Sequence, residues 1–524
     1  MASVHPSAGV YVNEKDNSQF VSPASTSVGA MVGESNRGPV GQRTLVTSVK
    51  QFISTFGIPD ASLGYLHHSA LAFLNEGDRL YVTRVARNAV FGGATVYIGE
   101  NSLNVMEPWA EGQAVPTQYD FDLDDLFVVY AADPGEWNRD LKVRIYPNVK
   151  VNDDTFYVDV FEGAKAVPDE SYLVTLDYRV DGYGVQLNIM QHINRRSALI
   201  RIEQNYAQAD YVRNPKRRFI GALATVNLAG GGNGDRATTG DFVQAWELYR
   251  DPENVSVNIL VGAGLVQPAV QQRMDEICAD RMDCMAILDV PSMEQQLQNA
   301  LDFRRNVLSL NSSYSALYCC DLQVLDPYSG RRLYVPPSGY VAAAYARTDR
   351  EYATWFAPAG LIRGALRVLG VRHKYNQGDR DALVESQINP IRVIEGIGIS
   401  IWGADTLQTM ASALSNVNVR RLMLFLEKSL SQAALYSVFD PNDEILRSAL
   451  VEMCTRFLQP IQDGRGLHWF GVQCDDFNNP PEVTAAGDLI LDVLVDPVLP
   501  AKRILLQATI NKTGARFTAS LVDA

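Results

Sequence analysis

Between Phe242 and Val324 helical and strand-like segments alternate at short intervals, and this rhythm limits the possible folds more than any other feature of the chain. Phe242 to Tyr249 has helical spacing, Val255 to Val261 is a short apolar run, and Pro268 to Asp280 is helical again. Met285 to Val290 and Ala316 to Val324 then read as strands. Alternation at this spacing predicts a mostly parallel sheet flanked by helices. The N-terminal part repeats the pattern. Val28 to Gly33 predicts a strand, Ser48 to Phe56 and Leu63 to Asn75 helices, and Leu80 to Val85 a second strand.

The rhythm breaks between about Phe91 and Pro215, where short β-rich runs (Phe127 to Tyr130, Val143 to Tyr146, Phe156 to Phe161, Tyr172 to Leu176) are separated by Asp, Asn, Gly and Pro. Residues 100–215 carry 20 acidic and 10 basic side chains, so much of the net charge of −14 sits here. An acidic β-rich block inside an α/β chain predicts an inserted, solvent-facing domain. The expected class is therefore α/β, with doubly wound mixed-sheet core domains, an inserted β-rich outer domain and extended arms at both ends. The expected divisions are an N-terminal arm (1–25), the first part of the core (26–93), the inserted domain (94–215), a central α/β domain (216–362), a C-terminal core domain (363–500) and a C-terminal arm (501–524). A chain of 524 residues has room for about three folded units.

Composition removes several function classes. No stretch approaches the ~18 apolar residues a bilayer span needs, since even Ile391 to Trp402 contains Arg392 and Glu395. Met1 to Pro6 shows no secretory signal pattern, so synthesis in a cytosol is expected. The six cysteines contain no C-x-x-C pair and read as reduced, apolar filler. An acidic balance argues against a broad nucleic-acid surface, and Lys216, Arg217 and Arg218 alone do not reverse it.

No motif carries a persuasive chemistry. Gly262 and Gly264 follow a strand and precede a helix, with Asp289 ending the next strand as a ribose-binding acid would. However, Gln267 replaces the third glycine, and Pro268 opens the helix. Gly230 to Asp235 lacks the Gly-Lys-Ser/Thr ending of a phosphate loop and reads as a flexible turn. Asp120 to Asp125 begins like a calcium loop, but Asp125 stands where Gly is required, so it reads as a solvated acidic turn. His67 and His68 are adjacent, point about 100° apart on a helix, and are expected at the surface or an interface. No cofactor or metal is expected.

Several blocks are distinctive enough to carry a resemblance. They are Gly9 to Glu14, Ser25 to Glu34, Arg37 to Val40, Phe52 to Gly57 and Leu80 to Val85 at the N-terminal end, and Val335 to Tyr340, Ala346 to Glu351 and Ala357 to Gly360 in the middle. Asn418 to Arg421, Phe439 to Asp443, Val472 to Asp475 and Pro497 to Ala501 follow near the C-terminal end. In this order the chain resembles the tail sheath proteins of contractile phages and related injection machines. The block from about Ala94 to Pro215 is outside the resemblance, and Asn478 to Pro480 and the Lys502-Arg503 pair depart from the family pattern. The central region of that family is described as subtilisin-like, but nothing here resembles the Asp, His and Ser motifs of such a protease. The resemblance therefore implies a shared topology without catalysis.

It also implies assembly. Val10, Tyr11 and Val12, and Leu505, Leu506 and Ile510, lie in β-capable segments with little local sequence to bury them, and are expected to be donated to a neighbour's sheet edge. The expected acceptor is Asp488 to Val495, with Leu489, Leu491 and Val493. The implied partners are further copies in six-membered rings stacked as a helical sheath, an inner tail tube, and baseplate and tail terminator proteins, all in a virion. A helix from about Ser415 to Phe439 places Leu422, Phe425, Leu426, Leu430 and Ala433 near one face. Two readings of it stay open: a core helix with a solvated edge, or one whose Arg420, Arg421 and Lys428 face an acidic tube. On the second reading, charge reversal at Arg421 and Lys428 should weaken tube binding without preventing folding. The competing functions are a nucleotide-binding enzyme using the Gly262/Gly264 loop and a non-contractile shell or adaptor protein.

Overall fold

The computed structural model describes residues 21, 23–98, 104–109, 120–122, 124–148, 155–206 and 225–504. Its centre is a mixed sheet whose strands come from both ends of the sequence. They are β1 (Gly29–Gly33), β2 (Arg43–Val46), β3 (Leu80–Arg84), β4 (Ile259–Val261), β5 (Met285–Asp289), β6 (Ser315–Cys319), β7 (Ala365–Leu366), β8 (Ile388–Ile394) and β9 (Gly398–Ile401). The spatial order is β7-β9-β8-β6-β5-β4-β1-β3-β2. The run from β8 to β3 is parallel throughout, and the outermost pairings are antiparallel. The first part of the core and the segments expected as central and C-terminal domains thus contribute to one sheet. β1 lies between β3 and β4, in register through Ala30 with Tyr81 and Leu260.

Side-chain alternation explains the two layers. Ala30, Val32, Ala286 and Leu288 point to one face, where they meet α3 (Thr239–Glu247) and α4 (Pro268–Arg281) through Trp246, Tyr249 and Met274. Met31, Met285 and Ile287 point to the other face, toward α1 (Val49–Phe56), α2 (Leu66–Leu74) and α5 (Ser338–Glu351) through Phe52, Phe56, Phe73 and Tyr345. Capping fixes helix starts where the sequence signals them. Ser48 accepts from Gln51 N ahead of α1, and Thr238 with Asp241 forms a reciprocal capping box ahead of α3.

The helices expected around His67 and His68 are present, but the residues are not at the surface. His67 and His68 are 1% and 5% exposed on α2. The His67 ring packs edge-on to Phe52, and its Nε2 lies 3.1 Å from the Phe56 carbonyl oxygen and donates to it. The helix was expected, but its histidines and Ser69 gave no sign that it is buried nearly all round.

The inserted block has its own core, built by two four-stranded antiparallel sheets around Phe127, Val143, Phe156, Ile193 and Ile200. Its reach differs from the expected 94–215. A strand at Val226–Asn227 still pairs with Lys142 and Val143 of the block. Beyond it, Arg87 to Gly93 runs against Ala229 to Asp235 as a two-stranded stem. The glycine-rich stretch read as a flexible turn is therefore part of this stem. At Gly234 (φ 74°) a side chain would collide with the Arg87 carbonyl.

Two further differences concern long elements. The expected strand Ala316 to Val324 is divided, because after β6 the chain turns into a hairpin strand, Leu322–Leu325, that pairs with Arg332–Val335. After α6 (Gln377–Glu385), which leads into β8, the helix from Ser415 is α7 (Val417–Ala434), ending before Phe439. It packs against α8 (Glu444–Asp463), a 20-residue helix with Pro460 in its last turn, and against a two-stranded antiparallel sheet of β10 (Leu467–Gln473) and β11 (Asp492–Pro497).

Candidate assembly site

The β10/β11 sheet offers unpaired main chain. Among the described residues each strand has one partner, the other, so each leaves one edge of N–H and C=O groups without a strand beside it. Gly471 is opposite Leu494 and Val472 opposite Val493, with a register shift between Leu467 and Trp469. One face is anchored: Val493, Val495, Phe470 and Val472 pack on Leu422, Leu426, Leu458 and Ile461 of α7 and α8. The other face carries Leu494 and Trp469, both 56% exposed. A two-stranded sheet is marginal by itself, and an added strand on either edge would pair its main chain and cover apolar side chains.

The expected acceptor residues are distributed differently. Val493 lies in β11, but Leu489 and Leu491 precede it, half-buried against Ala433, Leu450, Met453 and Cys454. The strand starts late because Asn479 takes a strand's place beside Ile490. Its Oδ1 accepts from Ile490 N at 2.7 Å and its Nδ2 donates to Ile490 O at 2.9 Å. Val10, Tyr11, Val12, Leu505, Leu506 and Ile510 lie outside the described residues. The chain nonetheless approaches this lobe from both ends. Val21 joins the apolar cluster of Leu489 and Leu491, and Ala24 N donates to Ser429 Oγ on α7 at 3.1 Å. At the other end the chain leaves β11 through Pro497 and reaches an exposed Ile504.

The three cations expected to face a tube, Arg420, Arg421 and Lys428, each have a partner inside the chain. Arg421 is 4% exposed, grips Asp349 of α5 with two hydrogen bonds (3.0 and 2.6 Å) and lies over the Tyr345 ring. Arg420, 7% exposed, donates to Ser313 Oγ and covers Tyr314. Lys428 donates to Asp283 and Ser256, both at 2.9 Å. All three tie α7 to the central sheet body. Helical spacing places charges off the apolar stripe, but it does not show which of them meet acids from elsewhere in the fold.

The glycine loop is likewise occupied by the chain itself. Asp289 Oδ2 accepts from Gly264 N at 3.0 Å and from Ser338 Oγ at 2.6 Å, and Oδ1 accepts from Ser338 N at 2.8 Å. Burial pushes its carboxyl up to about 6, against the lowering effect of these donors. A side chain at Gly264 would meet Tyr65 at 2.7 Å and Pro336 at 2.9 Å. The loop seats the start of α5, so the space a pyrophosphate would need is filled. Asp120 to Asp125 includes a turn that closes on itself, with Asp125 accepting from Asp122 N at 2.9 Å.

Comparison with known proteins agrees with this fold. Residues 235–407 match the family described as phage tail sheath protein central domain, and residues 409–511 match the phage tail sheath C-terminal domain. The tail sheath protein of Enterobacteria phage T4 is 26% identical over 319 residues, covering 57% of this chain and 48% of that protein. That of Vibrio phage KVP40 is 28% identical over 341 residues, covering 59% and 51%. The chain thus aligns with about half the length of these relatives. The sheath complex of an extracellular contractile injection system in its contracted state superposes with a TM-score of 0.53 at 16% identity, covering 97% of this chain and 98% of the other. A sheath tail protein from Listeria innocua gives 0.57 at 10% identity, covering 91% and 97%. The chain belongs to the phage tail sheath family, whose members matched here are structural proteins and not enzymes. Among the described residues no helix is long and apolar enough to cross a membrane.

Proposed function

We propose that this chain, synthesised in the host cytoplasm, is the repeating subunit of a contractile sheath in a virion, stacked as six-membered rings around an inner tail tube and bounded by baseplate and tail terminator proteins. The observation that carries this reading is the β10/β11 sheet, whose two outer edges have no strand beside them among the described residues, in the lobe where both termini leave the described fold. Residues 1–20 of one copy and 503–524 of another would supply the missing strands. A head-to-tail contact of this kind is heterologous and propagates a helical tube.

Contraction then needs two packings of the same folded bodies, with the arms as hinges that keep the mesh connected. The driving free energy would be the larger burial between subunits in the shorter state, with no nucleotide consumed. Arg420, Arg421 and Lys428 are left out of the tube contact because their intramolecular partners hold them.

The test is negative-stain electron microscopy of the full chain beside a version lacking residues 1–20 and 503–524. Striated tubes from the full chain and dispersed particles from the trimmed one are expected. Tubes from both would remove the arms from the assembly, and small particles from both would remove self-assembly through them.

A further inference from the structure

Among the described residues, Arg304 is a cation with no acid paired to it. It is 4% exposed, at the amino ends of β6 and β8 and on the opposite side of the sheet from the Gly262/Gly264 loop. Its Nη2 donates to the Leu407 carbonyl at 3.0 Å and to Gln387 Oε1 at 3.3 Å, while its buried Nε–H has no acceptor. Other buried arginines among the described residues have a carboxylate near them. Arg421 has Asp349, Arg281 has Asp283, Arg84 has Asp133 and Arg420 has Glu427. Among the described residues no charge offsets the burial of the Arg304 guanidinium, and that burial depresses its proton affinity. Burying a full charge without a counter-charge is costly, and a native fold tolerates it best where an anion completes the site.

The surroundings suit such an anion. A cleft of about 390 Å³ is lined by Arg304, Arg305, Ser309, Asn311, Ser386 and Thr409. Arg305 is exposed on its wall and donates to Ser386 Oγ at 3.0 Å. Glu385 also lines the cleft, exposed, and among the described residues forms no ion pair with either arginine. Two guanidinium groups with hydroxyl and amide neighbours recognise an oxyanion by charge-assisted hydrogen bonds.

We propose that the Arg304/Arg305 cleft binds a single oxyanion, phosphate or carboxylate, supplied either free from solution or as an acidic side chain of a second copy of this chain. The first arm of the test titrates inorganic phosphate into the unassembled full-length protein at constant ionic strength and follows the 31P linewidth. Saturable one-site binding is expected, weakened about tenfold or more in Arg305→Gln, the loss of one charge-assisted contact. Arg305 is exposed, so this variant keeps the fold, and Arg304→Gln, if it folds, should abolish binding. No saturable binding, or equal binding in Arg305→Gln, overturns the proposal whether or not the chain assembles.

The second arm repeats the titration on assembled material and rests on the sheath reading. Retained phosphate binding assigns the site to a free anion. Binding lost on assembly, with poorer assembly of Arg305→Gln, assigns it to a neighbour's carboxylate.

Discussion

His67 shows how much one buried titratable group contributes. Burial holds its imidazole down to about 4, with the charge of His68 also lowering it and the hydrogen bond to the Phe56 carbonyl opposing the shift. The folded-state value is below that of the unfolded chain, so between pH ~6.5 and ~4 the unfolded chain binds the proton and the folded one does not. Stability therefore falls as pH is lowered through this window, by up to about 3 kcal/mol from His67 alone. His68, also depressed by burial, adds to the same slope. Urea unfolding at pH 7 and pH 4.5 should show the loss, and His67→Gln should reduce it while keeping a donor for the Phe56 carbonyl. An unchanged slope in that variant would place the effect elsewhere. Neither histidine was legible as a core residue, because a buried imidazole and an exposed one look alike until the helix packs against Phe52.

The tethers of α7 belong to the scale of elements. Arg421→Ala leaves Asp349 buried without its partner, and a loss of about 3–5 kcal/mol is expected. Arg421→Glu should be worse, setting two carboxylates together at a site 4% exposed. Lys428→Ala should cost less, since Asp283 keeps Arg281 at 2.7 Å. Thermal melts of the three variants check the order, and equal midpoints would mean that α7 is held by its apolar face alone. The apolar stripe of Leu422 and Leu426 was readable from helical spacing, and it does pack in the core. The destination of the charges was not readable, because Asp349 and Asp283 lie far away in sequence and on different elements.

At the scale of the molecule, the outer block is joined to the core by one narrow stem. Arg87 and Asp235, and Gly93 and Ala229, face each other across it, so the two chain crossings are adjacent. Joining residue 93 to residue 229 by a short turn should leave the mixed sheet folded. The cost is limited to contacts such as the Arg37–Glu162 ion pair, the Arg37–Trp137 stack and the Arg84 hydrogen bond to the Pro134 carbonyl. Far-UV circular dichroism and a cooperative melt of the shortened chain test this, and a non-cooperative product would show that the block is needed for the core to fold. The insertion was visible as a change of rhythm and charge. Its true edge was not, because Gly230 to Asp235 has turn composition and becomes strand-like only through its pairing with residues 87–93.

The sequence by itself determined the α/β class, most of the parallel strands and their covering helices, the presence of a β-rich insertion, and the family. These properties depend on local periodicity, capping residues and ordered blocks of sequence, which are all carried along the chain. Only the tertiary structure decided that the N-terminal strands and those of the later core regions make one sheet, and that the glycine loop seats a helix. It also decided that the cations of α7 are internal tethers, that β11 begins at Asp492, and that among the described residues no acid pairs with the buried Arg304. Each of these depends on which distant side chains and edges meet, and a pattern along one segment holds no information about its partner across the fold.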